Sequence, residues 1–467
     1  MAGIGFELKK LYGEDKGITQ TVTAMGYSVA AVIGPTILIV AALVGVNLLM
    51  MAWQVPEEEK MIFSGCLLYC FIIPLIISSV FDTVISRYVS DCMFSDRSEK
   101  VLPAVQGSTA LMAGILGIIG IILSLALFFV AELPFYYVLM VYLTLMGVGL
   151  TFSLSVFTTA VKSYRQITGS YFIGVVVLVL TGLFCRHILK LPMGESLMTG
   201  FALSFQTIAL QLFIYLHRAF PEGDESYFEF LHCLRKNKIL LFSGLFYTLG
   251  LYVHNVVFWA DSELQLVVRK MLYCAPAYDM ASFLAMLTSV SAMVIFVVRV
   301  ETGFYGEYKR YCEAVIGNNW DQINLARERM LRTLVGEVYF VGEFQLILTV
   351  VIMVLGMTFL PLIGIAGIAL NLYPVMALGY YAVFMMHILM IFLYYFDDQK
   401  GAAMVGGLFF VLNLGFTLLT KFLGMNFYGL GLVLSAVIAW LVAFWRLRST
   451  LHMVDYKMFC DNVKVRM

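Results

Sequence analysis

Apolar runs long enough to cross a membrane recur along the whole chain, and this feature decides the fold class. A helix rises about 1.5 Å per residue, so about 20 apolar residues span the hydrocarbon core. Of the 467 residues, 61% are hydrophobic and only 13% are charged, and the mean hydropathy is +0.90. This composition leaves no stretch for a water-soluble core. The sequence therefore predicts an all-α polytopic membrane protein.

About twelve such runs are present, and the longest polar break separates six from six. We predict an N-terminal six-helix lobe at 1–217, a cytoplasmic linker at 218–238 and a C-terminal six-helix lobe at 239–467. The second lobe includes a cytoplasmic amphipathic segment at 300–337 and a tail at 447–467. The predicted spans lie near 23–50, 61–83, 107–130, 135–159, 168–187, 196–216, 239–260, 279–299, 338–359, 372–394, 402–420 and 427–446.

Positive charge is distributed unequally between the two sides of these spans. With the N-terminus in the cytoplasm, 24 of the 30 Lys and Arg residues fall on the inner side. This asymmetry predicts an even number of spans with both termini cytoplasmic. The 30 Lys and Arg balance 30 Asp and Glu, so there is no basic excess to attract nucleic acid.

The polar residues predicted near mid-membrane are neutral. An ionised residue at the centre of the membrane costs roughly 2.5–3.5 kcal/mol on insertion scales. The type of polar group found there therefore indicates the chemistry of the substrate that the interior contacts. Aromatic rings inside the helices can stack on the C–H face of a sugar, although many such rings simply pack against helices or lipid. The candidate substrate-path residues are Gln206, Gln211, His254, Asn255, Tyr380, Tyr381, Phe384 and Asn413.

Acidic residues occur only toward helix ends. Glu343 and His387 are the candidates for ion coupling, with an interfacial or intrahelical partner as the alternative. Pro35 and Pro74 interrupt helices and are candidates for gating positions or for static packing kinks.

An amphipathic stripe in the segment 300–337 contains Phe304, Tyr308 and Tyr311. It predicts helices at the inner surface that either rest on the membrane or dock a cytoplasmic partner. The six histidines are dispersed, and the chain has no H-E-x-x-H, Gly-x-Ser-x-Gly or P-loop motif. We therefore predict a protein that is not an enzyme and that has no cofactor or metal.

Two runs resemble the PelG family of Pel exopolysaccharide transporters. One is Gly3-Ile4-Gly5-Phe6-Glu7-Leu8-Lys9-Lys10-Leu11, and the other is Arg299-Val300-Glu301-Thr302-Gly303-Phe304 followed by Tyr308 and Tyr311. The run from Tyr278 to Thr288 is similar to the one that precedes the second motif in the family. Glu301, Thr302 and Phe304 are carried over as signature positions without an assigned role.

The resemblance implies a bacterial inner-membrane protein of the MOP flippase superfamily, with two bundles in a V around a central cavity. It implies export of a biofilm polysaccharide rich in N-acetylgalactosamine. The implied partners are a PelF-like cytoplasmic glycosyltransferase and PelD-like and PelE-like membrane proteins. Two other functions stay open: an ion-coupled antiporter or lipid-linked oligosaccharide flippase, and a membrane scaffold of a polysaccharide synthase.

Overall fold

The structure is a computed structural model. It describes residues 18–456 except 96, 162, 221–225, 261–262 and 318, and it describes the backbone alone for 18–33, 94, 236, 291–292, 294, 298, 301–302 and 363. The N-terminal motif and the two chain ends lie outside the described residues.

Twelve helices in the described part of the chain are long and apolar enough to cross a membrane, which confirms the predicted fold class. Their ends differ from the prediction mainly where a helix continues past its apolar run. Numbered in chain order, with the short polar helix α7 included, the helices are α1 Ile18–Ala52, α2 Glu57–Phe94, α3 Val101–Phe129, α4 Phe135–Ala160, α5 Tyr164–His187, α6 Met193–Ala219, α7 Glu229–Lys236, α8 Lys238–Trp259, α9 Pro276–Arg299, α10 Tyr305–Gly317, α11 Trp320–Phe359, α12 Ile368–Tyr395, α13 Gln399–Leu423 and α14 Leu430–His452.

The described residues divide into two compact units, and the division falls inside α8. Unit 1 holds the described residues of 18–248 and 266–274, and unit 2 holds those of 249–265 and 275–456. In unit 1, α6 packs against α4 and α5, while α4 also contacts α2 and α3. Glycines allow the close approaches: a Cβ on Gly147 would lie 3.0 Å from the Gln206 backbone nitrogen.

The segment predicted as a linker is attached to unit 1. Its helix α7 is held by Lys100, whose ammonium lies 2.7 Å from the Glu229 carboxylate, and Phe230 is buried. A Cβ on Gly107 would lie 1.8 Å from the Tyr227 carbonyl oxygen, so only glycine fits at that point of α3.

A β-hairpin that the sequence did not predict also belongs to unit 1. Strands β1 Leu266–Val268 and β2 Leu272–Cys274 are antiparallel. Three contacts fix the hairpin: the Tyr69 hydroxyl donates to the Tyr273 carbonyl at 3.0 Å, and Arg269 and Lys270 pair with Glu58 and Glu132, both at 2.9 Å. The hydrogen bond from the Lys270 ammonium lowers the pKa of Glu132.

In unit 2, α12 is the most buried helix and packs against α9, α11 and α14. Asp398, which precedes α13, joins that helix to α14. Its carboxylate accepts hydrogen bonds from Arg446 Nε at 2.7 Å, Arg446 Nη2 at 2.9 Å, Thr450 Oγ1 at 2.7 Å and the Gly401 backbone N–H at 3.1 Å. This cluster ties the start of α13 to α14.

Two long helices of unit 2 form an antiparallel hairpin. The first runs without a break from α9 through a π-helical segment, Val300–Phe304, into α10; the second is α11, which has 40 residues. The pairs Thr288 with Gln345 and Arg299 with Glu337 set the antiparallel register.

Residues 320–337 of the predicted amphipathic segment therefore form the first half of the long helix α11, which continues into a membrane span, and they are not a separate surface helix. Beyond the Arg299–Glu337 pair, the hairpin extends by about 26 Å, taking about 1.5 Å per residue to Trp320. We call residues 312–326 the hairpin tip.

Candidate functional site

Of the three amides predicted near mid-membrane, Gln206 and Asn413 each bond a neighbouring helix of their own unit. In unit 1, Gln206 Nε2 donates to the Leu143 carbonyl at 3.0 Å. In unit 2, Asn413 is fully buried; its Nδ2 donates to the Gly250 carbonyl at 2.8 Å, and its Oδ1 accepts from Thr417 at 3.0 Å. Gln211 is half-buried. These bonds satisfy polar groups between helices without any fixed charge.

His254 is the centre of a buried, neutral hydrogen-bonded cluster in unit 2. His254 Nδ1 lies 3.1 Å from the Tyr278 hydroxyl, and His254 Nε2 lies a long 3.5 Å from the Tyr380 hydroxyl. The Tyr380 hydroxyl also contacts Ser282 Oγ at 2.8 Å. The cluster joins α8, α9 and α12, so it brings together two of the predicted path residues, His254 and Tyr380.

The other predicted aromatic positions on α12 face its neighbours. The Tyr381 hydroxyl donates to the Gly342 carbonyl at 3.3 Å, and its ring meets Trp440 edge-on with centroids 6.0 Å apart. Phe384 is buried. A role for these rings in sugar contact stays a prediction.

Asn255 contacts a partly buried carboxylate, Asp279, that was not among the predicted site residues. Asp279 accepts from Asn255 Nδ2 at 2.7 Å, from Trp259 Nε1 at 2.9 Å and from the Ala275 backbone N–H at 3.0 Å. Because Asp279 lies in the first turn of α9, it satisfies donors at that helix start. The signal for this role was an acid three residues after Pro276, within the first turn of the helix that this proline begins.

The candidates for ion coupling lie in different environments. Glu343 is exposed on α11 and His387 is half-buried on α12. Asp82, inside α2, has one carboxylate oxygen that is buried and accepts no hydrogen bond from the described residues. The predicted span 61–83 ends beside Asp82. In the structure, α2 continues twelve residues beyond Asp82, to Phe94, so Asp82 lies inside the helix.

The two prolines predicted to kink helices lie inside continuous helices. Pro35 is in α1 and is half-buried. Pro74 is buried in α2, and its Cβ would lie 3.2 Å from a Cβ on Gly149 of α4. Close packing against α4 supports the static-kink alternative for Pro74.

The family-signature run coincides with the π-helical segment. The Tyr305 backbone N–H bonds the Val300 carbonyl five residues earlier, which adds one residue to the helical turn. Glu301 and Thr302 lie in this turn, and Phe304 closes it. Phe304 is fully buried, with ring centroids 5.0 Å from Phe392 and 5.5 Å from Tyr395. The extra residue therefore lies where α9 passes the end of α12.

The two tyrosines after the signature are also held by unit 2. The Tyr308 hydroxyl donates to the Tyr395 carbonyl at 3.4 Å. Tyr311 is fully buried, and its hydroxyl donates to Asp455 at 2.7 Å, while Arg327 pairs with the other oxygen of Asp455. Burial and the adjacent Asp455 carboxylate raise the pKa of Tyr311, so the hydroxyl stays a donor. These contacts attach the hairpin to the end of α12 and to the residues after α14.

The chain matches one protein-family model, and its fold matches solved transporter structures. The model of a family described as "PelG: Putative exopolysaccharide Exporter (EPS-E)" matches residues 1–459. The chain belongs to the PelG family. The signature run with its π-helical turn is thus a feature of a PelG-family chain. No curated protein matches the chain.

The PelG-family chain is similar in fold to solved transporters of the MOP superfamily. An outward-facing multidrug resistance MATE transporter matches with a TM-score of 0.65 and 11% identity, covering 98% of this chain and 100% of that one. The inward-facing structure matches with a TM-score of 0.58 and 12% identity, covering 97% and 99%. A MOP superfamily transporter from Pyrococcus furiosus matches with a TM-score of 0.65 and 12% identity, covering 97% and 99%. At these identities the likeness concerns the fold.

Proposed function

We propose that this PelG-family membrane protein exports an N-acetylgalactosamine-rich exopolysaccharide through a central cavity. The observation that carries the proposal is the family match over residues 1–459. The polar residues Gln206, His254, Tyr380 and Asn413 bond neighbouring helices and give the helix interior polar groups without fixed charges, which suits passage of an uncharged, N-acetylated polymer. The chain acts as a conduit rather than an enzyme, in the cytoplasmic membrane with both termini inside.

We propose that elongation of the polymer drives it outward. The driving enzyme is a PelF-like cytoplasmic glycosyltransferase, supported in the membrane by PelD-like and PelE-like proteins. The second candidate function, ion-coupled transport, is favoured by one observation: the buried and partly unsatisfied carboxylate of Asp82.

Inverted membrane vesicles that contain this chain and the glycosyltransferase test the proposal. With UDP-N-acetylgalactosamine outside, we expect polymer inside the vesicles, protected from an added glycoside hydrolase. Vesicles that lack the chain should give only unprotected polymer. Protection that is equal in both preparations would overturn export by this protein.

The same vesicles distinguish the two energy sources. We expect Asp82→Asn, Glu343→Gln and His387→Ala to keep the protected fraction, and a protonophore to leave it unchanged. Loss of protection with the protonophore and with Asp82→Asn, at normal protein level, would instead establish ion coupling.

The hairpin tip is the surface that we propose for docking the glycosyltransferase. Phe304 and Tyr311 are fully buried in unit 2, so a partner would not reach them. The tip exposes Ile316 to 87%, Trp320 to 58% and Leu325 to 51%. Trp320 lies about 26 Å and Leu325 about 18 Å along α11 beyond the Arg299–Glu337 pair, and we therefore propose that these side chains are in the cytoplasm rather than in lipid. Large exposed apolar anchors are typical of protein interfaces.

The variant Ile316→Ser/Trp320→Ser tests docking. We expect at least about a tenfold loss of co-purified glycosyltransferase, since anchor residues at interfaces contribute about 2 kcal/mol or more. The matched control is Phe422→Ser/Leu423→Ser, two exposed residues at the other end of unit 2. Equal binding by the tip variant and the control would rule out the tip as the docking surface.

A further inference from the structure

A basic pocket lies at the adjoining ends of α1 and α5 in unit 1. It has a volume of about 540 Å³ and is lined by Trp53, Arg186, His187 and Lys190. Trp53 follows the last residue of α1, Arg186 and His187 end α5, and Lys190 is in the turn after α5. The two helices pack against each other along their length, which brings their C-terminal ends together. We call these four residues the basic pocket.

The side chains of the basic pocket hold one another in place. His187 meets the Trp53 ring edge-on, with centroids 5.7 Å apart. The Arg186 guanidinium carbon lies 5.8 Å from the centroid of the same ring, and Nη1 donates to the Leu191 carbonyl at 3.1 Å. One bond to a carbonyl leaves most of the five guanidinium donors open to a ligand.

The positive charge of the pocket is not neutralised by the chain. Within the described ranges, no carboxylate forms an ion pair with Arg186 or Lys190. The nearby acids have other partners: Glu57 pairs with Lys60 at 2.7 Å, and Glu59 accepts from the Gly194 N–H at 2.6 Å. The C-terminal ends of α1 and α5 carry only partial negative charge, so Arg186 and Lys190 remain available to bind an anion.

The surroundings of the pocket place it at a membrane surface. Exposed apolar side chains continue from it along both helices, with Met51 at 61%, Phe184 at 51% and Ile188 at 64% exposure. In a membrane protein such a surface faces lipid tails. Tryptophan is enriched where tails meet headgroups. The basic pocket therefore lies at headgroup level, with an apolar wall directed toward the tails.

We propose that the basic pocket binds the phosphate of an anionic phospholipid, with phosphatidylglycerol as the representative headgroup. Arg186 and Lys190 donate to the phosphate oxygens, and Trp53 and the apolar wall contact the glycerol and upper acyl chain. A zwitterionic headgroup is disfavoured because its own ammonium would lie among the cations of the pocket. The site does not depend on the identity of the exported polymer.

Native mass spectrometry of the full chain released from mixed phosphatidylglycerol and phosphatidylethanolamine nanodiscs tests this site. We expect retained phosphatidylglycerol on the unaltered protein. In Arg186→Gln/Lys190→Gln we expect at least about a tenfold loss of retention, because charge-assisted hydrogen bonds contribute about 1.5–3 kcal/mol each. The matched control, Arg269→Gln/Lys270→Gln, also removes two cations, but these are paired with Glu58 and Glu132, and retention should not change.

Three outcomes would overturn the proposal. They are equal retention in the pocket and control variants, equal retention of both lipids, and displacement of the lipid by inorganic phosphate at millimolar concentration. The last would identify a soluble phosphate as the ligand. If the double variant does not fold, the single variant Lys190→Gln tests the site in its place. Lys190 is exposed in a turn, so its charge can be removed without loss of packing.

Discussion

Phe304→Ala is expected to lower the free energy of unfolding by about 3–5 kcal/mol, the usual cost of removing a buried aromatic ring. The Phe304 ring is fully buried and has four aromatic neighbours, with centroids at 5.0 Å from Phe392, 5.5 Å from Tyr395, 5.9 Å from Tyr308 and 6.2 Å from Phe396. Truncation opens a cavity at the junction between the hairpin and α12. Denaturation of the detergent-solubilised protein by sodium dodecyl sulfate measures the change.

The control for this prediction is the same truncation where no packing is lost. Phe422 is 86% exposed, and Phe422→Ala should change the unfolding free energy by no more than about 0.5 kcal/mol. A Phe304→Ala protein as stable as this control would show that the signature ring does not anchor the hairpin. If Phe304→Leu keeps stability but loses export, the ring has a role beyond packing.

The transmembrane helices could be predicted because lipid imposes one strong requirement on the sequence. Any helical segment that crosses the bilayer must form its backbone hydrogen bonds within the helix and must contain about 20 mostly apolar residues. All twelve spans were placed on that basis. The ends were less predictable, because polar residues beyond the membrane stay helical when another helix covers them. Residues 320–337 continue α11 for this reason, with Ile323, Met330 and Leu334 buried.

The contacts of the predicted site residues depend on tertiary structure and were not readable from spacing. The stripe of Phe304, Tyr308 and Tyr311 was correctly identified as one face of a helix. The helical period is the same for a face that docks a partner and for a face that packs within its own chain. In this chain Phe304 and Tyr311 are buried. Asp455 and Tyr311, 144 residues apart, bond each other, a pairing that no local pattern encodes. The β-hairpin was missed because its three-residue strands are too short to show alternation.

Asp398→Asn is expected to lower the free energy of unfolding by about 2–3 kcal/mol. Breaking a buried ion pair costs about 3–5 kcal/mol when one charge is left alone. The Asp398 side chain is 5% exposed, but that of Arg446 is 32% exposed, so water partly solvates the remaining guanidinium and the cost is smaller. Asparagine keeps the helix cap, because its oxygen can still accept from the Gly401 N–H. The loss therefore reports the charge together with the hydrogen bonds that Asp398 Oδ2 accepts from Arg446 Nε and Thr450 Oγ1.

Two further variants establish that the effect arises from the buried pair. Glu313→Gln breaks the Lys309–Glu313 pair, which is 3.7 Å long with both side chains more than 60% exposed, and should cost less than about 0.5 kcal/mol. Asp398→Asn/Arg446→Gln removes both charges and should be more stable than Asp398→Asn alone, since no unpaired guanidinium remains. Both are measured by the same denaturation. If Asp398→Asn costs no more than Glu313→Gln, the cluster does not hold α13 to α14, and the stability of unit 2 depends on apolar packing along α12.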